Sequence, residues 1–145
     1  AGFTLLTENL SRLKRRMAHH AKQQLENIEL VSSINIDFMA PPESVTDPAT
    51  LSFIGSLEPF GKFNPQPLFW GRGLEVIRSS SVGRDRSHLK FLVSSGGKMW
   101  DSIAFGRGEM ELNNHRSLDM VYSINRNDWG GQSRIQLNVV DLHPN

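Results

Sequence analysis

No cysteine occurs among the 145 residues. That excludes disulfides, thiolate zinc sites and a cysteine nucleophile, and it suits a reducing cytoplasm. No apolar run approaches the roughly 20 residues that span a bilayer. No positively charged segment leads into an apolar core, so neither a membrane span nor a signal peptide is expected. Internal repeats and low-complexity tracts are absent. The chain opens on Ala1 rather than Met, as expected for a piece of something longer.

A catalytic constellation is missing too. Asp101, Asp119, Asp128 and Asp141 are scattered, without the paired-carboxylate spacing of a two-metal nuclease. No nucleophile-elbow sequence supports a Ser-His-Asp arrangement. Gly71-Arg72-Gly73 and Gly106-Arg107-Gly108 do not continue into a phosphate loop. His19 and His20 are adjacent, so they point to different helix faces and cannot form an i,i+4 metal pair. The residues therefore assign no catalytic group, no metal ligand and no cofactor within the segment.

What is present is a chain of globular composition, 38% hydrophobic with a net charge of +1. Its charge is unevenly spread. Residues 1–59 carry 5 Lys/Arg against 7 Asp/Glu, and residues 60–145 carry 11 against 8. Within 62–100 the count is 7 against 2, an excess able to form a polyanion-binding face if the fold gathers it on one side. The alternative is an ordinary solvated surface.

Thr7 to Ile28 has the spacing of an amphipathic helix, with Leu10, Leu13, Met17, Ala21, Leu25 and Ile28 on one stripe and Thr7 as N-cap. Its basic residues, Arg12, Lys14, Arg15, Arg16 and Lys22, suit a polar outer face or a nucleic-acid helix. Ile34, Ile36 and Phe38 alternate as in a short strand, and "APPES" reads as a linker. Asp47-Pro48 starts a short helix whose stripe is Leu51, Ile54 and Leu57. The stretch "LEPFGKFNPQPLFW", 57–70, is neither helical nor alternating. Pro59, Pro65 and Pro67 fix φ and remove donors, so this strap can run without a sheet partner. Gly61 is expected to supply an unusual φ, Asn64 a turn, and Phe60 and Phe69 a cover for the end of a barrel.

From Leu68 onward the pattern has period two. Strands are expected at 69–82, 87–94, 98–106, 117–126 and 132–142, with hairpins at "SSGGK" and "NDWGGQS". "GRGEMELNNHR" has room for one helical turn. The fold class is thus mainly β with a helical N-terminal extension. Five strands with a short helix between the third and fourth is the order of an OB-fold barrel. An SH3-like barrel or a small sandwich would also accommodate five strands.

Single-strand binding on such a barrel needs cations that track phosphates and rings on which bases stack. Alternation in "HLKFLV" sends Leu89, Phe91 and Val93 inward and His88 and Lys90 outward. In "KMWDSIAFG", Met99, Ile103 and Phe105 are assigned to the core and Lys98, Trp100 and Ser102 to the outside. Trp100 is then either a stacking platform or a ring folded over a neighbouring element. Trp129 either stacks a base or pins its hairpin. Arg134 is an outward cation on the last strand, and Arg84 and Arg86 lie in the loop between the first two. The candidate DNA-binding set is Arg84, Arg86, His88, Lys90, Lys98, Trp100 and Arg134.

"LEPFGKFNPQPLF", "VGRDRSHLKFLV", "SIAFG", "DMVYSINRNDWGG" and "IQLNVVDLHP", in this order and spacing over 33–145, resemble the C-terminal OB domain of RecJ, the bacterial exonuclease that degrades single-stranded DNA from the 5′ end. "AGFTLLTENLSRLKRRMAHHAKQQL" resembles the tail of the family's substrate-binding DHHA1 domain. Phe63 departs from the pattern, standing where a small residue is expected. The resemblance implies a division into 1–32, the helical tail of the preceding domain, and 33–145, the OB domain, comprising the lead-in strand, short helix and Pro-rich strap of 33–68 and the barrel of 69–145. It implies single-stranded DNA and the rest of the exonuclease as partners, with other repair proteins possible, in bacterial cytoplasmic DNA repair and recombination. It also places Mn²⁺ or Mg²⁺ in a catalytic domain outside this segment, which alone should cut nothing. The rival reading is a protein-interaction or bracing module of the same enzyme with no direct DNA contact.

Overall fold

The computed structural model describes residues 4–26, 28, 31–112, 116–129 and 132–145. The chain forms two compact units, 1–34 and 35–145.

The first unit is a 3-10 turn, Thr7–Asn9, continuing into helix α1, Leu10–Leu25. Thr7 does not cap it. The 3-10 turn takes Thr7 in as its first residue, the cap position falls on Leu6, and no side chain caps either element. No residue of α1 is buried, and Leu10, Met17 and Leu25 of the apolar stripe are exposed.

In the second unit the lead-in strand is short. Only β1, Phe38–Met39, pairs, running parallel to β2 at Phe69 and Trp70. The prolines just before β2 have no N–H to lengthen this ladder, and the Asp37 carboxylate accepts the Leu68 N–H at 2.9 Å instead. The "APPES" segment is not a plain linker. Pro42–Val45 forms a single helical turn, α2, with Pro42 at its first position and both Pro42 and Val45 buried. Helix α3, Pro48–Ser56, starts as the sequence predicts, with Asp47 Oδ1 accepting the N–H groups of Ala49 and Thr50 at 3.0 and 3.1 Å.

The strap is tied by Asn64. Its Nδ2 donates to the carbonyls of Leu57 and Pro59 at 2.7 and 3.1 Å, and its backbone exchanges hydrogen bonds with Gly61. Phe60 is half-buried against the core, whereas Phe63 is 95% exposed. Gly61 is not among the glycines with positive φ, so its predicted conformational role is not required. Asn64 closes the turn instead.

Five strands make the barrel: β2 Phe69–Val82, β3 His88–Ser95, β4 Lys98–Ala104, β5 Ser117–Trp129 and β6 Gln132–Pro144. The sheet order is β1-β2-β3-β4-β6-β5, and a β2–β5 pairing closes it. All barrel pairs are antiparallel except β4–β6. Strand β2 serves both sides of the seam, pairing with β5 through Phe69–Glu75 and with β3 through Glu75–Val82. It bends where Gly73 takes φ 60° and its register against β5 shifts. The core includes Phe69, Leu74, Phe91, Leu118, Tyr122 and Leu137. The Tyr122 hydroxyl donates to the Ala40 carbonyl at 3.0 Å, fastening the lead-in to the barrel. Burial, with a smaller contribution from the charge of Glu43, raises its pKa far above the ordinary phenol value, so it stays a donor. The loop after β4 holds turns and no helix over Phe105–Leu112, and residues 113–115, where the rest of the predicted helical turn falls, lie outside the described residues.

Candidate nucleic-acid interface

The outer face is set by register. In an antiparallel ladder directly opposed residues share a face, and Leu89, Phe91 and Val93 are buried as predicted. Their partners across the β3–β4 hairpin are Ala104, Ser102 and Trp100. Strand β4 is therefore inverted relative to the sequence reading: Trp100, Ser102 and Ala104 face in, while Met99 and Phe105 are 64% and 61% exposed. The hairpin geometry explains this. Gly96 and Gly97 both take positive φ in a two-residue turn between Ser95 and Lys98, and that turn fixes every later pair. Small Ser102 and Ala104 then meet large Phe91 and Leu89.

Trp100 is consequently not an outward platform. It is 6% exposed, and its indole N–H donates to Thr46 Oγ1 at 3.2 Å, leaving no face for a base. Lys98 is exposed but follows the phase of Trp100, at the hairpin end where Ser95 Oγ bonds Glu43 Oε1 at 3.1 Å. It does not join Lys90.

The outward grid of β2, β3, β4 and β6 reads in rows. One row is Ser80, Lys90, Ile103 and Asn138, and the next is Arg78, Leu92, Asp101 and Gln136. At the loop end Val82 opposes His88, and Phe105 lies one step beyond the last β3–β4 pair. Lys90 is exposed with its Nζ 3.7 Å from Asp101 Oδ1. Arg84 and Arg86 are exposed in the β2–β3 loop, Arg86 at φ 55°. Between them Asp85 is held below the usual carboxylate range, chiefly by a Ser87 side-chain hydrogen bond. Arg134 is exposed in the outward phase of β6, opposite Asn127 and away from this corner. The side chain of Trp129 lies outside the described residues.

Two loops are joined at this corner. The Gly108 N–H donates to the Ser87 carbonyl at 2.9 Å, and Ser81 Oγ donates to the Gly108 carbonyl at 2.7 Å. A Cβ at Gly108 would collide with the Arg86 carbonyl, so only glycine fits. His88 is half-buried, with Nδ1 accepting the Gly106 N–H at 3.2 Å and its ring nearly perpendicular to Phe105, centroids 5.0 Å apart. Arg107 pairs with Asp141 at 3.0 Å. His88 and Lys90 thus share the outward phase of β3, and the loop that carries Arg84 and Arg86 lies at the same end of the barrel. Sequence reasoning missed Phe105 and Arg78 beside them. The Gly-Gly hairpin register was the signal that could have found Phe105. Among the described residues no three His, Cys, Asp or Glu cluster as a metal site, and no helix is long and apolar enough to cross a membrane.

A closed five-stranded barrel in this strand order, with a cationic loop corner beside its second and third strands, is an OB-fold. The chain belongs to the RecJ OB-domain family, whose model matches residues 36–141. It is 25% identical over 145 residues to the single-stranded-DNA-specific exonuclease RecJ of Bacillus subtilis, covering 97% of this chain and 18% of that protein. It is 26% identical over 149 residues to RecJ of Dickeya dadantii, covering 99% and 25%. The chain therefore spans about a fifth to a quarter of these relatives. The crystal structure of Thermus thermophilus RecJ in complex with Mn²⁺ superposes with a TM-score of 0.71 at 22% identity, over 99% of this chain and 20% of that one.

Proposed function

We propose that this chain is the OB segment of a RecJ-like 5′→3′ exonuclease and that its barrel binds single-stranded DNA on the outer face of β2–β3–β4. The observation that carries this reading is that the loop holding Arg84 and Arg86, the outward Lys90 of β3 and the exposed Phe105 lie at one end of the barrel, supplying the cations and ring that single strands require. Catalysis, with Mn²⁺ or Mg²⁺, belongs to the family's catalytic domain outside this segment, and α1 belongs to the domain that precedes the barrel. In the whole enzyme the barrel holds the strand for digestion during cytoplasmic DNA repair and recombination.

Titrating labelled oligothymidine with the chain at two salt concentrations tests the proposal. Binding should weaken with salt, and Lys90→Ala should lower affinity for all sequences alike and reduce the salt slope by about one. Absence of salt-dependent binding by the wild type overturns it.

One observation favours a second reading, a bracing or partner-docking role within the same enzyme. Met99 and Val140 are exposed apolar residues of the barrel, and Lys90 is opposed by Asp101. On that reading Met99→Glu would weaken association with the remainder of the enzyme supplied separately, and Lys90→Ala would leave DNA affinity unchanged.

A further inference from the structure

We infer that Phe105 is the nucleobase-stacking platform of this barrel and that His88 positions it; the inference rests on the single-strand reading above and names its base-reading residue. The ring stands at the end of β4 in the outward phase, 61% exposed. A large exposed ring on a domain surface costs hydration unless something covers it. Here the ring is also held in place. The His88 imidazole packs nearly perpendicular to it with centroids 5.0 Å apart. The same imidazole takes the N–H of the next residue, Gly106, on Nδ1 at 3.2 Å. Ser87 Oγ lies 3.2 Å from the same Nδ1. Gly106 turns the chain at φ 70°, and two residues later Gly108 is locked against Ser87 and Ser81. The ring is thereby fixed at both ends of its turn, which lowers the ordering cost of a ligand that stacks on it.

The surroundings point to a nucleic-acid base. Arg86 lies in the loop bonded to Gly108, Lys90 is two residues from His88 on the same face of β3, and Arg107 follows Gly106. An exposed flat ring at the barrel end that also carries the Arg86 loop and Lys90 matches the base and sugar-phosphate of a single strand. His88 acts on DNA through Phe105.

The test uses the 145-residue chain and two labelled oligonucleotides of equal length, one of fifteen thymidines and one of abasic units. The readout is the ratio of their dissociation constants. Phe105→Ala should reduce the preference for the base-bearing strand by about 5- to 150-fold. Phe105→Leu should do the same, because it keeps an apolar side chain and removes the π face, whereas Phe105→Trp should restore the preference. His88→Ala should reduce it by a smaller factor. Circular dichroism establishes that each variant is folded. A wild type that binds neither strand removes the single-strand reading itself. A wild type that binds, with an unchanged ratio in Phe105→Ala or Phe105→Leu, overturns the stacking role and assigns the ring to protein contact.

Discussion

Helix α1 and the barrel are both built from apolar patterns of good quality, yet they end in opposite states. The helix keeps a clear stripe and buries none of it. The barrel sends Leu89, Phe91 and Val93 into an interior that Leu74, Tyr122 and Leu137 complete. A stripe is a request for a second surface, whereas a sheet that curls until β2 meets β5 supplies its own. Periodicity tells which side chains want burial, and closure decides whether the chain can provide it.

The largest test of this contrast is a pair of truncations. Phe91→Ala should cost about 3–5 kcal/mol by urea unfolding, as for buried aromatics elsewhere. Met17→Ala, at a residue 57% exposed, should change stability by about 0.5 kcal/mol or less. Equal losses would break the contrast. Glycines sharpen the contrast inside the barrel unit. Gly108→Ala forces a Cβ into the Arg86 carbonyl and should cost about 1–3 kcal/mol. Gly61→Ala, with open space around its Cβ, should leave the melting temperature within error. The smallest effect is acid dependence at the barrel seam. Asp119 is held below the ordinary carboxylate range, first by the Gly73 N–H at 2.8 Å and then by the Asn145 side chain. A depressed carboxylate stabilises the fold above its unfolded pKa, about 3.9, and that contribution is lost as pH falls through the lower folded value. Melts of wild type and Asp119→Asn should differ slightly at pH 7 and converge in acid. A gap that persists unchanged in strong acid would show that the carboxylate charge contributes nothing at this seam.

Much of the barrel was legible in the residues. The bounds of β2 and the inward set of β3 follow from alternation alone, and Asp47-Pro48 announces α3 through cap chemistry that acts over three residues. The phase of β4 was not legible from its own composition, because Met99, Ile103 and Phe105 are as apolar as Trp100 and Ala104. Only pairing across Gly96-Gly97 separates the two sets, and pairing is a property of two strands together. The same inversion removed Trp100 from the candidate site and exposed Phe105. Helix α2 was hidden because Pro41-Pro42 reads as a breaker, although proline is at home in a first helical turn. Arg84, Arg86 and Lys90 were legible because loop and outward positions do not depend on long-range register. The stitch between Gly108 and the Arg86 loop was not, since it joins backbone atoms that sequence spacing does not relate.

Strand β6 lies between β4 and β5, and that placement constrains synthesis. A ribosome delivers β2 through β5 first, and none of these can stand in for the strand that belongs in the gap. Until residues 132–144 emerge, β4 has no partner on its far side and the sheet cannot complete its circuit. The nascent domain therefore carries an open β-edge, the kind of surface that templates association between chains. Ribosome-bound chains arrested before β6 should be the aggregation-sensitive species, and release of the last hairpin the event that ends the exposure.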